Sequence, residues 1–92
     1  MTHKEILERA KRFGISAWQL LAANEVDCQF EGLSDEEFEL LSDFVYNWII
    51  KTSMPVDELC SLIKSCLNEK VFTIQDIRHN YKFVKEKLNE RI

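Results

Sequence analysis

Apolar residues recur at helical spacing from the first turns of this chain. Ile6, Leu7, Ala10 and Phe13 fall on one arc, the recurrence at three and four residues that marks an amphipathic helix. Thr2 and Glu5 stand ahead of that arc as a capping-box pair, and Gly14 follows it where a left-handed stop belongs. These signals predict a helix over 3–13. Ser16 with Gln19 repeats the capping pair and opens a short helix over 17–23, which Asn24 ends. Residues 24–33 show no helical period and read as a loop anchored by Val26, Phe30 and Leu33. Ser34 with Glu37 starts a longer helix over 35–52, with Asp35, Glu36, Glu37 and Glu39 near its N-terminus, where the macrodipole favours acids. Its inner face is Phe38, Leu41, Phe44, Val45, Trp48 and Ile49. Pro55 breaks the pattern and suits the first turn of a helix over 56–69, on which Val56, Leu59, Cys60, Ile63, Cys66 and Leu67 share an arc. Thr73 caps a last helix over 74–91 with the stripe Ile74, Ile77, Tyr81, Val84 and Leu88.

The expectation is an all-α, compact single-domain bundle of about five helices. Composition agrees. Two glycines and one proline in 92 residues are too few for the turns of a strand-rich fold, and 46% hydrophobic residues with ten aromatics can build a core. No run reaches the ~20 apolar residues of a membrane span, and no apolar signal core follows the N-terminus. The odd count of cysteines, Cys28, Cys60 and Cys66, has no Cys-x-x-Cys spacing, so free thiols in a reducing cytoplasm are expected. No membrane association is expected.

The net charge of −4 is unevenly spread. Residues 1–24 carry four bases and two acids, 25–58 carry ten acids against Lys51 alone, and 59–92 carry seven bases and four acids. Nucleic-acid binding is therefore disfavoured by net acidity, although a local basic face remains open.

Catalytic chemistry is hard to assemble from these residues, and no catalytic residue, metal ligand or cofactor is expected. His3 is nearly terminal, and His79 lies about 140° from Ile74 at 100° per residue, on a polar side. Cys60 and Cys66 project about 120° apart, too divergent to hold one metal from that helix. Cys28 is surrounded by Glu25, Asp27 and Glu31, which oppose a reactive thiolate. The acids of 31–43 lack the glycine and alternating oxygens of a calcium loop. A phosphate loop is absent too, since Gly14 and Gly32 are the only glycines.

Ala10, Gly14, Ile15, Leu20 and Ala23 together resemble the helix-turn-helix signature: a small residue four before the turn glycine, an apolar residue after it, and apolar pins on the second helix. The resemblance covers about 20 residues. It implies a recognition helix starting near Ser16, with Lys4, Lys11 and Arg12 on phosphates. Of the base-facing positions Ser16, Ala17, Trp18, Leu21 and Ala22, none carries an Arg, Lys, Asn or Gln, and Gln19 alone is of the base-reading kind. Leu33-Ser34 with Glu37, Asp57-Glu58-Leu59, and Ile74-x-x-Ile77 with Tyr81 are similar in order to the DnaD-type domain of bacterial replication initiation. That family's terminal tryptophan falls at Tyr81, and Arg78 stands where it has a leucine.

Some apolar residues are unclaimed by the core pattern. Tyr46 and Ile50 lie one turn apart beside Glu39 and Asp43, off the main stripe. Phe83 lies about 180° from Ile74, and Trp18 sits on a helix too short to bury it. Trp18, Tyr46, Ile50 and Phe83 are thus the candidate partner-binding residues, with burial of the Tyr46–Ile50 pair in a wrapped central helix as the alternative. Lys11, Arg12, Gln19, Arg78, Lys82 and Lys85 are the candidate nucleic-acid contacts. The expected function is a small non-enzymatic adaptor, inhibitor or regulator acting by protein–protein contact, with a homodimer possible. A helix-turn-helix regulator or a DnaD-like replication domain is the alternative. An acidic helical protein can also fill a basic nucleic-acid groove of another protein, as small phage-encoded inhibitors do.

Overall fold

The computed structural model describes Glu8, Arg12, Gly14 and residues 17–92. They form five helices: α1 (Ala17–Gln29), α2 (Asp35–Thr52), α3 (Val56–Asn68), α4 (Ile74–His79) and α5 (Tyr81–Arg91). The all-α bundle is as expected, with no strand among the described residues. Apart from Glu8 and Arg12, the expected helix over 3–13 lies outside them, as does most of the helix-turn-helix-like hairpin. From that hairpin the structure shows Gly14 at φ 67, the left-handed conformation assigned to it.

The central element is α2, which packs against α1, α3 and α4. Its N-terminus is closed by the full capping box: Ser34 Oγ accepts from the Glu37 N–H at 3.2 Å, and Glu37 Oε1 accepts from the Ser34 N–H at 2.9 Å. Phe38, Leu41, Phe44, Val45, Trp48 and Ile49 are buried, matching the expected inner face. The helix ends at Ser53, whose φ of 58 is left-handed and whose N–H reaches the Ile49 carbonyl at 3.0 Å. Met54 and Pro55 then turn the chain into α3, with Pro55 as its N-cap. On α3, Leu59, Cys60, Ile63 and Cys66 are buried, whereas Val56 and Leu67 are half-buried.

Two expectations need correction. The helix placed at 17–23 runs on to Gln29, so most of the expected loop over 24–33 is helical. Asn24 does not stop it, because its side chain faces solvent while Ala22, Ala23 and Val26 bury a face against the core. Tertiary burial outweighs the low propensity of one residue. Phe30 extends the spacing by one more turn, its N–H bonded to the Val26 carbonyl at 3.0 Å. The chain reverses only at Gly32, at φ 73.

The second correction is at the C-terminus, where one helix over 74–91 was expected and Asn80 divides it. Asn80 sits at φ −129, ψ 49, and its Nδ2 donates to Asp76 Oδ1 at 3.0 Å. Side-chain competition of this kind is why asparagine terminates helices. Asn80 both ends α4, through its N–H to the Asp76 carbonyl, and accepts the Val84 N–H at 3.1 Å to begin α5. Thr73 caps α4 through a box with Asp76, at 3.2 and 2.8 Å. The break moves Tyr81 out of the expected core stripe: it is 40% exposed, its ring edge-on to Phe44 at 5.5 Å. Ile77, Val84 and Leu88 stay buried, and Ile74 is half-buried.

All five helices feed one cluster of buried side chains. The Cα radius of gyration is 12.6 Å, close to the roughly 12 Å of a compact domain of this length.

Candidate functional site

A groove of about 510 Å³ lies where the first turns of α1 meet the C-terminal end of α2 and the start of α3. Each helix contributes for a local reason. On α1, Ala22, Ala23 and Val26 turn inward, which leaves Trp18 and Leu21 on a neighbouring arc, 58% and 42% exposed. On α2, Ile49 faces the core and Ile50, its neighbour, projects outward at 48% exposure. The Ser53–Pro55 turn brings Met54 alongside, and Val56 and Asp57 complete the wall.

A polar clasp sets the separation of α1 and α3 beside this groove. Gln29 Nε2 donates to the Asp57 carbonyl at 3.1 Å and to Glu25 Oε1 at 2.7 Å, and its own Oε1 accepts from Ser61 Oγ at 3.1 Å. One side chain thereby ties the C-terminal end of α1 to the first turns of α3. Behind the clasp lies Cys60, whose thiol is pushed up to about 12 by burial first and then by the carboxylates of Glu25 and Asp57. A thiol so held stays protonated and unreactive. Cys66 is raised as well, mainly by burial; Arg91 opposes the rise and Glu69 adds to it. Both cysteines pack in the core, as expected, and Cys28 is exposed.

Two of the four candidate contact residues, Trp18 and Ile50, meet in the groove. Tyr46 does not belong to it; it is half-buried against the core and makes no wall with Ile50. Phe83 stands elsewhere, on α5, 39% exposed with Lys87 Nζ 5.6 Å from its ring centroid. Sequence reasoning missed Met54 and Val56 as surface residues and treated Leu21 as a base-facing position. The available signal was the short connection around Pro55, which ties the ends of two helices together beside Ile50.

The described candidate nucleic-acid residues are spread over α1, α4 and α5, with Arg12 ahead of α1. Lys11 lies outside the described residues, Arg12 is exposed, and Gln19 is half-buried on α1. Arg78 turns back on α2, its Nη2 3.8 Å from Glu36 Oε2, in a shallow cleft with Glu39 and Asp43. The Asp43 carboxyl is raised by burial and, second, by Glu39. Lys85 places its Nζ 5.2 Å from the Tyr81 ring centroid, and Lys82 is exposed. The break at Asn80 separates Arg78 from the two lysines along the chain, so the expected basic flank is divided between two helices.

Among the described residues no group of three His, Cys, Asp or Glu is placed to hold a metal ion, and no helix is long and apolar enough to cross a membrane. No protein-family model, no curated protein and no solved structure matches the chain. The helix-turn-helix and DnaD-type resemblances therefore rest on the quoted residues alone.

Proposed function

We propose that this protein is a small non-enzymatic helical interaction module that works by protein–protein contact through the groove between α1, α2 and α3. The observation that carries this reading is the convergence of Trp18, Leu21 and Ile50, three large apolar side chains exposed on two helices, in one concavity. Isolated apolar residues on a surface are ordinary, but a contiguous set around a tryptophan is the composition of an interface centre. The walls also rest on helices packed into the core. Ile50 adjoins the buried Ile49, and the Gln29 clasp holds α1 on α3. A preformed surface of this kind loses little conformational entropy on binding.

The test is comparative capture from cells that make the protein. Immobilised wild type is set beside Ile50→Glu in the groove and Lys64→Glu on the exposed side of α3. Proteins retained by wild type and Lys64→Glu and lost from Ile50→Glu support the reading. Identical retention by all three rejects the groove as the working surface.

A further inference from the structure

On α5, two aromatic rings remain accessible, Tyr81 and Phe83, and each carries a lysine ammonium near its face. Phe83 is the more available of the two as an anchor, since the Tyr81 ring is also engaged by Phe44. Lys82 adds a further cation beside it, in a C-terminal third whose bases outnumber its acids by seven to four. The groove has the converse character. Its walls are apolar, its lining carries Asp57, and Glu25 lies close by: Gln29 bonds both to the Glu25 carboxylate and to the Asp57 backbone.

From this complementarity we infer that the groove receives α5 of a second copy of the chain, Phe83 entering between Trp18 and Ile50 while Lys82 and Lys87 approach Asp57 and Glu25. The inference rests on the groove being a contact surface and adds its occupant. An aromatic anchor supplies the apolar burial, and the collar of cations fixes the orientation. Charge restricts the alternatives. A chain of net charge −4 repels its own copy in most orientations, and residues 25–58, with ten acids against one base, repel it most. Residues 59–92 carry the largest excess of bases, three against two for residues 1–24, and so offer that surface an attractive face.

A contact centred on one aromatic is weak, so association belongs at about 10 µM to 1 mM. Sedimentation velocity across that range is expected to show the mass rising from 10.9 kDa toward twice that value. Phe83→Ser and Ile50→Glu, each checked for retained helicity by circular dichroism, are both expected to weaken association by about tenfold or more. Raising salt to about 1 M is expected to weaken it as well, because the cation–carboxylate component is screened. Lys64→Glu is expected to leave it unchanged. A constant monomer mass at all concentrations overturns the inference. So does self-association that survives either groove or α5 substitution with the fold intact. The capture comparison above judges the groove separately, so a monomeric protein that loses a foreign partner on Ile50→Glu refutes the second copy alone.

Discussion

Ile49 and Ile50 are adjacent, chemically identical and placed in the same helix, and the structure assigns them opposite environments. Ile49 is 4% exposed inside the core and Ile50 is 48% exposed in the groove. Truncating either to alanine deletes three carbons. At about 0.8 kcal/mol per buried methylene, the transfer loss at Ile49 is about 2.4 kcal/mol, and an enclosed cavity adds about 1 more. At Ile50 roughly half of the transfer loss applies, about 1.2 kcal/mol, with no cavity because the vacated volume opens to the groove. Alanine's better helix propensity returns about 0.4 kcal/mol in both cases. The expected destabilisation is therefore about 3 kcal/mol for Ile49→Ala and about 1 kcal/mol or less for Ile50→Ala. For a domain of this size that separates the two melting temperatures by roughly 8–16 °C. Urea unfolding followed by circular dichroism at equal protein concentration measures both. Equal losses refute the reasoning, since they mean that Ile50 is packed as tightly as Ile49 and the groove is not open.

Three further outcomes are expected. In native protein a thiol reagent at mildly alkaline pH titrates Cys28 quickly, while Cys60, pushed up to about 12, and the buried Cys66 react only on unfolding; three fast equivalents contradict this. Asp43 is raised above 3.8 by burial and by Glu39, so its folded state holds the proton more tightly than the unfolded chain. Its ionisation then destabilises the fold at neutral pH, and that penalty fades as pH falls through the folded pKa toward the unfolded value. Asp43→Asn should accordingly raise the melting temperature at pH 7, with the advantage shrinking in the acid range; an advantage that grows as pH falls contradicts the assigned direction. Ser53 ends α2 at φ 58, where a β-carbon is strained and glycine is not, so Ser53→Gly is expected to stabilise by about 0.5–1 kcal/mol in thermal unfolding. A loss of stability there shows that the Ser53 side chain matters more than its backbone conformation.

Where the fold was legible, the signal was local. The caps at Ser34 and Thr73 satisfy helix-end donors within three residues, and the inner face of α2 follows from 3.6-residue periodicity alone. Readings failed where distant packing outweighed local preference. Asn24 looked like a stop, yet Ala22, Val26 and Phe30, spaced by four, carry α1 through it because their faces are buried against the rest of the bundle. Asn80 was passed over inside a continuous apolar stripe, although the same residue type, four residues after Asp76, can bond that carboxylate and leave the helix. Its effect on Tyr81 depends on where Phe44 lies across the bundle, which no local pattern encodes.

The candidate site divides in the same way. Periodicity marked Ile50 as surplus to the core and the expected shortness of its helix marked Trp18, while caps, apolar period and composition together determined the all-helical character, and the charge count the acidic middle of the chain. Periodicity could not show that these two side chains line one groove, because they sit 32 residues apart on different helices. Their convergence required the α2–α3 turn at Ser53–Pro55 and the packing of α1 against α2 and α3, to which the Gln29 clasp on Asp57 and Ser61 contributes. Periodicity determines which face of a helix is apolar. Only the packing of helices against one another decides which apolar residues remain uncovered, and that is what makes a groove.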